Sequence, residues 1–297
     1  MKLGFWMSTQ FISTLLLPGL LFLIMLGMGM TLTFDDFKRV GTDPKGIFVG
    51  LGSQLIVLPI IAFSLAIILQ LPTYLAVGLM IIAASPGGAT SNLYSHLSKG
   101  DTALSISLTA FSSMITIFTI PFIVNYSLSY FGIPGKEMHL PILKTIYNIF
   151  RLTALPTFLG MLIHIKFPVF SKKIESILKW LSGGFIILAL WGMLTLLAKQ
   201  GPIWDYILSA GPSVILLNIV TLGAGWGVAS FFNLDLKRRI TISIEAGLQN
   251  GVMGMTIASA PALLGNAEFA VSSGVYGLVM CFSGIFIIYF GNKHQKS

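Results

Sequence analysis

A chain of 297 residues that is 55% hydrophobic and 9% charged, with a mean hydropathy of +0.88, does not belong to the soluble globular class. A formal net charge of +8 would fit a nucleic-acid binder, but the Lys and Arg residues fall in short loops between apolar runs, which excludes that reading. The single cysteine, Cys281, excludes an intramolecular disulfide and a cysteine metal cluster.

Hydropathy predicts nine spans, at about 11–32, 46–69, 74–97, 101–131, 139–165, 180–199, 210–232, 240–264 and 268–290. The first is followed by charged residues and not by a small-residue cleavage site, so it reads as a membrane span. The second carries Gln54 and Pro59 in its middle. The third is interrupted by Ser85-Pro86-Gly87-Gly88-Ala89-Thr90-Ser91-Asn92. In the fourth, Ser105 and Thr109 stand four apart on one helical face. The fourth and fifth exceed what a bilayer demands, which tilt would absorb, and the fifth holds Arg151 in its middle. The eighth is interrupted by Glu245-Ala246-Gly247-Leu248-Gln249-Asn250-Gly251. Connections are short, so the whole of 1–297 reads as one transmembrane unit.

Thirteen of the 18 Lys and Arg residues lie on one side if the N-terminus is outside and the C-terminus cytoplasmic. The two broken spans then run in opposite directions, each the penultimate helix of its half. An inverted repeat of four plus five spans with two crossed discontinuous helices is expected, and such paired breaks mark the binding site of a secondary transporter.

Glu245 is the one acidic residue placed deep in a span. It reads either as half of an ion pair with Arg151 or as a cation ligand facing a polar cavity. Hydroxyl, amide and freed backbone oxygens around it would form a hard-cation site, with no histidine or cysteine to indicate a transition metal. His96, His139, His164 and His294 fall near membrane surfaces without metalloprotease spacing, so no enzyme is expected.

Pro86-Gly87-Gly88 with Ser91-Asn92, then Ala103-Leu104-Ser105, and later Ile244-Glu245-Ala246-Gly247-Leu248-Gln249-Asn250 resemble the signatures of the bile acid:sodium symporter family. Met28-Gly29-Met30-Thr31-Leu32, and Gln54 with Pro59, extend the resemblance to most of the chain. It implies a nine-helix member lacking the first helix of ten-helix relatives. A panel would comprise 11–32, 139–165 and 180–199, and a core 46–69, 74–97, 101–131, 210–232, 240–264 and 268–290.

The resemblance further implies two sodium sites. One maps onto Ser91, Asn92, Ser105, Thr109 and Glu245. The other maps onto Gln54, Glu245 and Gln249 with the carbonyls of Ala246 and Leu248. An organic anion would sit beside the crossing at Ala89, Thr90 and Asn250, where half-helix N-termini offer N–H groups. Its class is left open between bile acids or sterol sulfates and small hydroxy or keto acids such as pantoate. Where some bacterial relatives have a His-Asn pair near the bile-acid site, Met280-Cys281-Phe282 stands here. The implied function is sodium-coupled symport by alternating access, in a monomer of the plasma (inner) membrane that contacts lipid. The alternative is a sodium/proton antiporter with Glu245 as proton carrier.

Overall fold

The computed structural model describes residues 9–132, 138–171 and 202–294, with a few positions between 184 and 198. The predicted sixth span therefore lies mostly outside the described residues, as do Lys2, Lys136, Lys172, Lys173, Lys179, Lys199 and Lys296. Among the described residues the chain is helical, with one isolated antiparallel bridge, Gly87 to Gln249, and no strand. It is an all-α polytopic membrane protein. Among the described residues six helical segments are long and apolar enough to cross a bilayer.

The first is α1, Ile12–Gly29. A short helix, α2, follows over Phe34–Thr42, and α3 spans Pro44–Ile68. Both α1 and α3 contain one wide π-turn, at Ile12–Leu16 and Ser53–Val57. Each π-turn ends two residues before a proline, Pro18 and Pro59. Proline lacks the N–H for its turn and its ring crowds the carbonyl four residues back, so the helix widens locally. Gln54 sits in the second of these turns.

The third predicted span is two half-helices, α4 (Thr73–Ala84) and α5 (Ala89–Leu97), separated by Ser85–Gly88. The long α6, Thr102–Phe131, comes next. The fifth predicted span is also divided, into α7 (Ile142–Leu152) and α8 (Ala154–Lys166), at Thr153 with φ −124° and ψ −64°. Pro156 explains that break, since it cannot bond to the Leu152 carbonyl and collides with it. Helix α9, Ile203–Phe231, starts earlier than the predicted 210; Pro202 precedes it and Asp205 stands in its first turn, both favourable at an N-terminus. The eighth span is α10 (Leu236–Gly247) and α11 (Gly251–Ser259), and α12 runs over Ala270–His294.

Packing follows small residues. A Cβ on Gly29 would collide with the Thr157 carbonyl, and one on Gly160 with the Leu26 carbonyl, so α1 and α8 approach backbone to backbone. Within α4 every residue from Leu75 to Ala84 is buried, and α11 is buried along its whole length. Both pack against α12, and α9 lies along α10. These contacts hold the two broken helices in the interior.

Helix α2 was not expected from hydropathy, because it is amphipathic and too short to span. Thr33 and Asp36 form a reciprocal capping box at its start. It is fastened to α6 by three contacts. Arg39 Nη2 donates to Asp101 Oδ2 at 2.5 Å, Ser107 Oγ donates to the Asp36 carbonyl at 2.9 Å, and Phe37 meets Phe111 edge-on at 5.5 Å.

Candidate functional site

At 1.5 Å per residue, α4, α5, α10 and α11 are each too short to cross a hydrocarbon core of roughly 30 Å. Their broken ends meet in the interior as two extended segments. The Asn250 N–H donates to the Pro86 carbonyl at 2.9 Å, beside the Gly87–Gln249 bridge. This pairing satisfies backbone groups that a bilayer would otherwise leave bare.

The remaining freed groups are taken by side chains. The Gly247 carbonyl, where α10 ends, accepts from Asn218 Nδ2 and from the Tyr276 hydroxyl, each at 2.7 Å. Gln249 Nε2 donates to the Glu245 and Ala246 carbonyls at 2.9 and 3.0 Å. The Gly88 carbonyl accepts from Ser91 Oγ at 2.7 Å.

Glu245, with 0% exposure, is the centre of the site. Its Oε1 accepts from Ser91 Oγ at 2.7 Å and Ser105 Oγ at 2.5 Å, and its Oε2 from Thr109 Oγ1 at 3.1 Å. Asn92 Oδ1 also accepts from Ser105 Oγ, at 2.9 Å, and from Thr109 Oγ1, at 3.3 Å. The hydroxyl hydrogens of Ser91, Ser105 and Thr109 thus face more acceptors than they can serve: both carboxylate oxygens, Asn92 Oδ1 and the Gly88 carbonyl. An oxygen cluster short of protons is the environment a hard cation completes.

A second group lies on the other side of Glu245. Gln54 Nε2 donates to the Glu245 carbonyl at 3.2 Å and to Gln249 Oε1 at 3.3 Å. Gln54 Oε1 is buried without a hydrogen-bond partner, an oxygen left over for an ion. The π-turn carries Gln54 into this position. Leu248 is buried in the extended link after α10, while the Ala246 carbonyl is engaged by Gln249.

Gly87 leaves the space that the carboxylate fills. A Cβ there would stand 2.5 Å from Glu245 Oε2, 3.1 Å from Gln54 Nε2 and 3.3 Å from Thr109 Oγ1. Residues from α3, α5, α6 and α10 therefore converge on a point where only a glycine backbone fits.

The residues expected beside the crossing also come together. Ala89, Thr90 and Asn250 line one cavity with Gly251, Ile24 and Met280. Helices α5 and α11 both begin on it, so N–H groups of two half-helix N-termini face the same space. Asn250 Oδ1 caps α11 by accepting from the Met253 N–H at 3.0 Å, and its Nδ2 has no partner although buried. A cavity with donors and an unserved amide N–H suits an anion.

Arg151 plays no part here. Its side chain is exposed on α7, and the carboxylate of Glu245 is held by hydroxyls. The ion-pair reading of Glu245 is thereby corrected. Sequence reasoning missed Gly87 as a cradle, and it missed Asn218 and Tyr276 as supports of the second break. A polar Asn218 in the middle of a span was the available signal. Among the described residues no cluster of three His, Cys, Asp or Glu side chains forms.

The sequence profile described as the Sodium Bile acid symporter family matches residues 18–202. The probable sodium/metabolite cotransporter BASS2, chloroplastic, of Oryza sativa subsp. japonica is 30% identical over 94% of this chain and 63% of its own length. The uncharacterized sodium-dependent transporter YocS of Bacillus subtilis (strain 168) is 26% identical over 92% of this chain and 82% of its own. The hepatic sodium/bile acid cotransporter of Homo sapiens is 28% identical over 84% of this chain and 71% of its own. The matched part of the chain corresponds to less than two thirds of the length of the rice protein.

Proposed function

The chain belongs to the sodium bile acid symporter family, and on that premise we propose that it is a sodium-coupled symporter of an organic anion and not an enzyme. The observation that carries this reading is the fully buried Glu245 carboxylate, ringed by Ser91, Ser105 and Thr109 at the meeting of two broken helices. Two sodium ions are assigned. One is held by Ser91, Asn92, Ser105, Thr109 and Glu245. The other is held by Gln54, Glu245 and Gln249 with the carbonyls of Ala246 and Leu248. The names of relatives, which speak of sodium with metabolites or bile acid, support the pairing of ion and organic substrate.

The coupling has a physical basis. Sodium offsets the cost of a carboxylate buried in hydrocarbon and holds the ends of both broken helices together. Assembled ends present the N–H groups at Ala89 and Thr90 and the Asn250 amide to the anion. The anion then binds the sodium-loaded form more tightly, and linkage makes the effect reciprocal. Its class is a carboxylate or sulfate: a bile acid or sterol sulfate, or a small hydroxy or keto acid of the pantoate kind.

In this reading nine spans form an inverted repeat of four plus five, with the N-terminus outside and the C-terminus in the cytoplasm. The protein is a monomer in the plasma (inner) membrane. A panel of 11–32, 139–165 and 180–199 moves against the remaining core helices to expose the site alternately.

Proteoliposomes test the proposal. An inward sodium gradient is expected to drive uptake of one of these anions, and Glu245→Ala and Gln249→Ala to reduce it to background while the purified variants stay folded. Sodium-driven uptake by Glu245→Ala at the normal rate would refute the mechanism. Proton movement driven by sodium alone, with no organic anion, would replace it with antiport.

A further inference from the structure

The Gly247 carbonyl, at the end of α10, is held by donors from two other helices. Asn218 Nδ2 on α9 and the Tyr276 hydroxyl on α12 each reach it at 2.7 Å, and both side chains are fully buried. One donor would satisfy a buried carbonyl. Two donors on different helices occupy both lone pairs and so fix the direction in which the carbonyl points. Glycine lets the backbone come this close, since a Cβ on Gly247 would collide with Leu222 of α9.

Direction matters at this point of the chain. Leu248, the next residue, is extended at φ −118° and ψ 104°, and in extended backbone successive carbonyls point to opposite edges. With the Gly247 carbonyl turned towards α9 and α12, the Leu248 carbonyl is turned to the other edge. The Asn250 N–H, two residues on, stands on that same edge and donates to the Pro86 carbonyl of the first break. The Leu248 carbonyl therefore faces the crossing.

We infer that Tyr276 and Asn218 are positioning residues for the second sodium ion: by holding the Gly247 carbonyl away from the crossing, they aim the Leu248 carbonyl into it. Neither side chain touches the ion. The inference rests on the symporter reading, in which Leu248 lends its carbonyl to the second ion and the first ion makes no use of it. When a donor is lost, the peptide between Gly247 and Leu248 tilts and the Leu248 carbonyl swings with it. The second site then weakens while the hydroxyl cluster around the Glu245 carboxylate stays as it is.

Thermal unfolding of the purified full-length protein tests this, because the rise of stability with the logarithm of sodium concentration counts the ions bound by the folded form. Just above the wild-type midpoint, Tyr276→Phe is expected to lower that slope from the value for two ions towards the value for one. The second midpoint should move up about tenfold, the worth of one such bond. Asn218→Leu removes the other donor and is expected to do the same, which keeps the test open if either variant fails to fold. Ser213→Ala, on α9, removes a buried hydroxyl that bonds only within its own helix and should leave the slope unchanged. Double variants identify the ion concerned. Tyr276→Phe added to Gln54→Ala, which disables the second site, should lower the slope no further. Added to Ser105→Ala, which weakens the first, it should take the slope below that of either single variant. A residue that merely supports the fold would lower the melting temperature at every sodium concentration and leave the slope alone. That result in Tyr276→Phe would overturn the inference, as would a loss of slope that adds to the loss in Gln54→Ala, with the symporter reading intact in both cases. A wild type that sodium does not stabilise would overturn the symporter reading and this inference together.

Discussion

Replacing Gly87 by alanine exchanges a hydrogen for a methyl group at the most crowded point of the site. The new Cβ would lie 2.5 Å from Glu245 Oε2, and ordinary contact begins at 3.4 Å, so the carboxylate must withdraw by about 0.9 Å. Its bonds to Ser91 and Ser105 are 2.7 and 2.5 Å long, and a displacement of that size takes one or both beyond hydrogen-bonding range. Bonds to a charged group contribute about 1.5–3 kcal/mol each, so a loss of about 3 kcal/mol is expected. That corresponds to a roughly hundredfold rise in the sodium concentration needed for half-maximal binding. The assay is thermal unfolding of the purified protein across a sodium titration. Gly87→Ala should melt below the wild type without sodium, having lost those bonds, and need roughly a hundredfold more sodium for the same upward shift. Gly88→Ala is the control, because its Cβ would meet nothing closer than the Thr90 hydroxyl at 3.3 Å. An unchanged sodium midpoint in Gly87→Ala, with the fold intact, would refute the assignment of Glu245 as an ion ligand.

Ser105→Ala removes a hydroxyl shared by Glu245 and Asn92, and should raise the sodium midpoint about tenfold, read by the same titration. Asn250→Asp keeps the oxygen that caps α11 but replaces the unserved Nδ2 with a negative charge. Stabilisation by the transported anion should disappear in it while stabilisation by sodium alone persists. Gly160→Leu forces α8 away from α1, where a Cβ already collides with a backbone carbonyl. It should destabilise the protein by on the order of 2 kcal/mol in denaturant unfolding, with the sodium midpoint unmoved.

Much of the site was legible because hydrocarbon tolerates so few polar residues. Ser91, Asn92, Ser105, Thr109 and Glu245 stood out against apolar surroundings, and the structure brings all five within one hydrogen-bonded cluster. The two breaks were legible for the same reason. What hydropathy could not resolve was backbone detail inside apolar runs. The division of the fifth span at Thr153 depends on Pro156, and the π-turn that aims Gln54 depends on Pro59. Both effects are local sterics that an average over many residues erases. Helix α2 was overlooked because its signal, Thr33 with Asp36, is a capping pattern and carries little hydropathy. Gly87 was quoted as part of a motif, but its reason is three-dimensional: the atoms it avoids come from α3, α6 and α10.

The attachment of α2 to α6 has a mechanical consequence. Thr31 N–H and Oγ1 both bond back to the Met28 carbonyl, Leu32 N–H bonds to Gly29, and the His164 ring holds the Met30 carbonyl. Everything up to Leu32 therefore belongs to α1 and α8. From Phe34 onward, Asp36, Phe37 and Arg39 tie the chain to α6. Between these two bodies stands Thr33, extended at φ −122° and ψ 163°. At this junction any swing of α1 against α6 pivots about a single residue, and the length of the strap beyond it sets no slack.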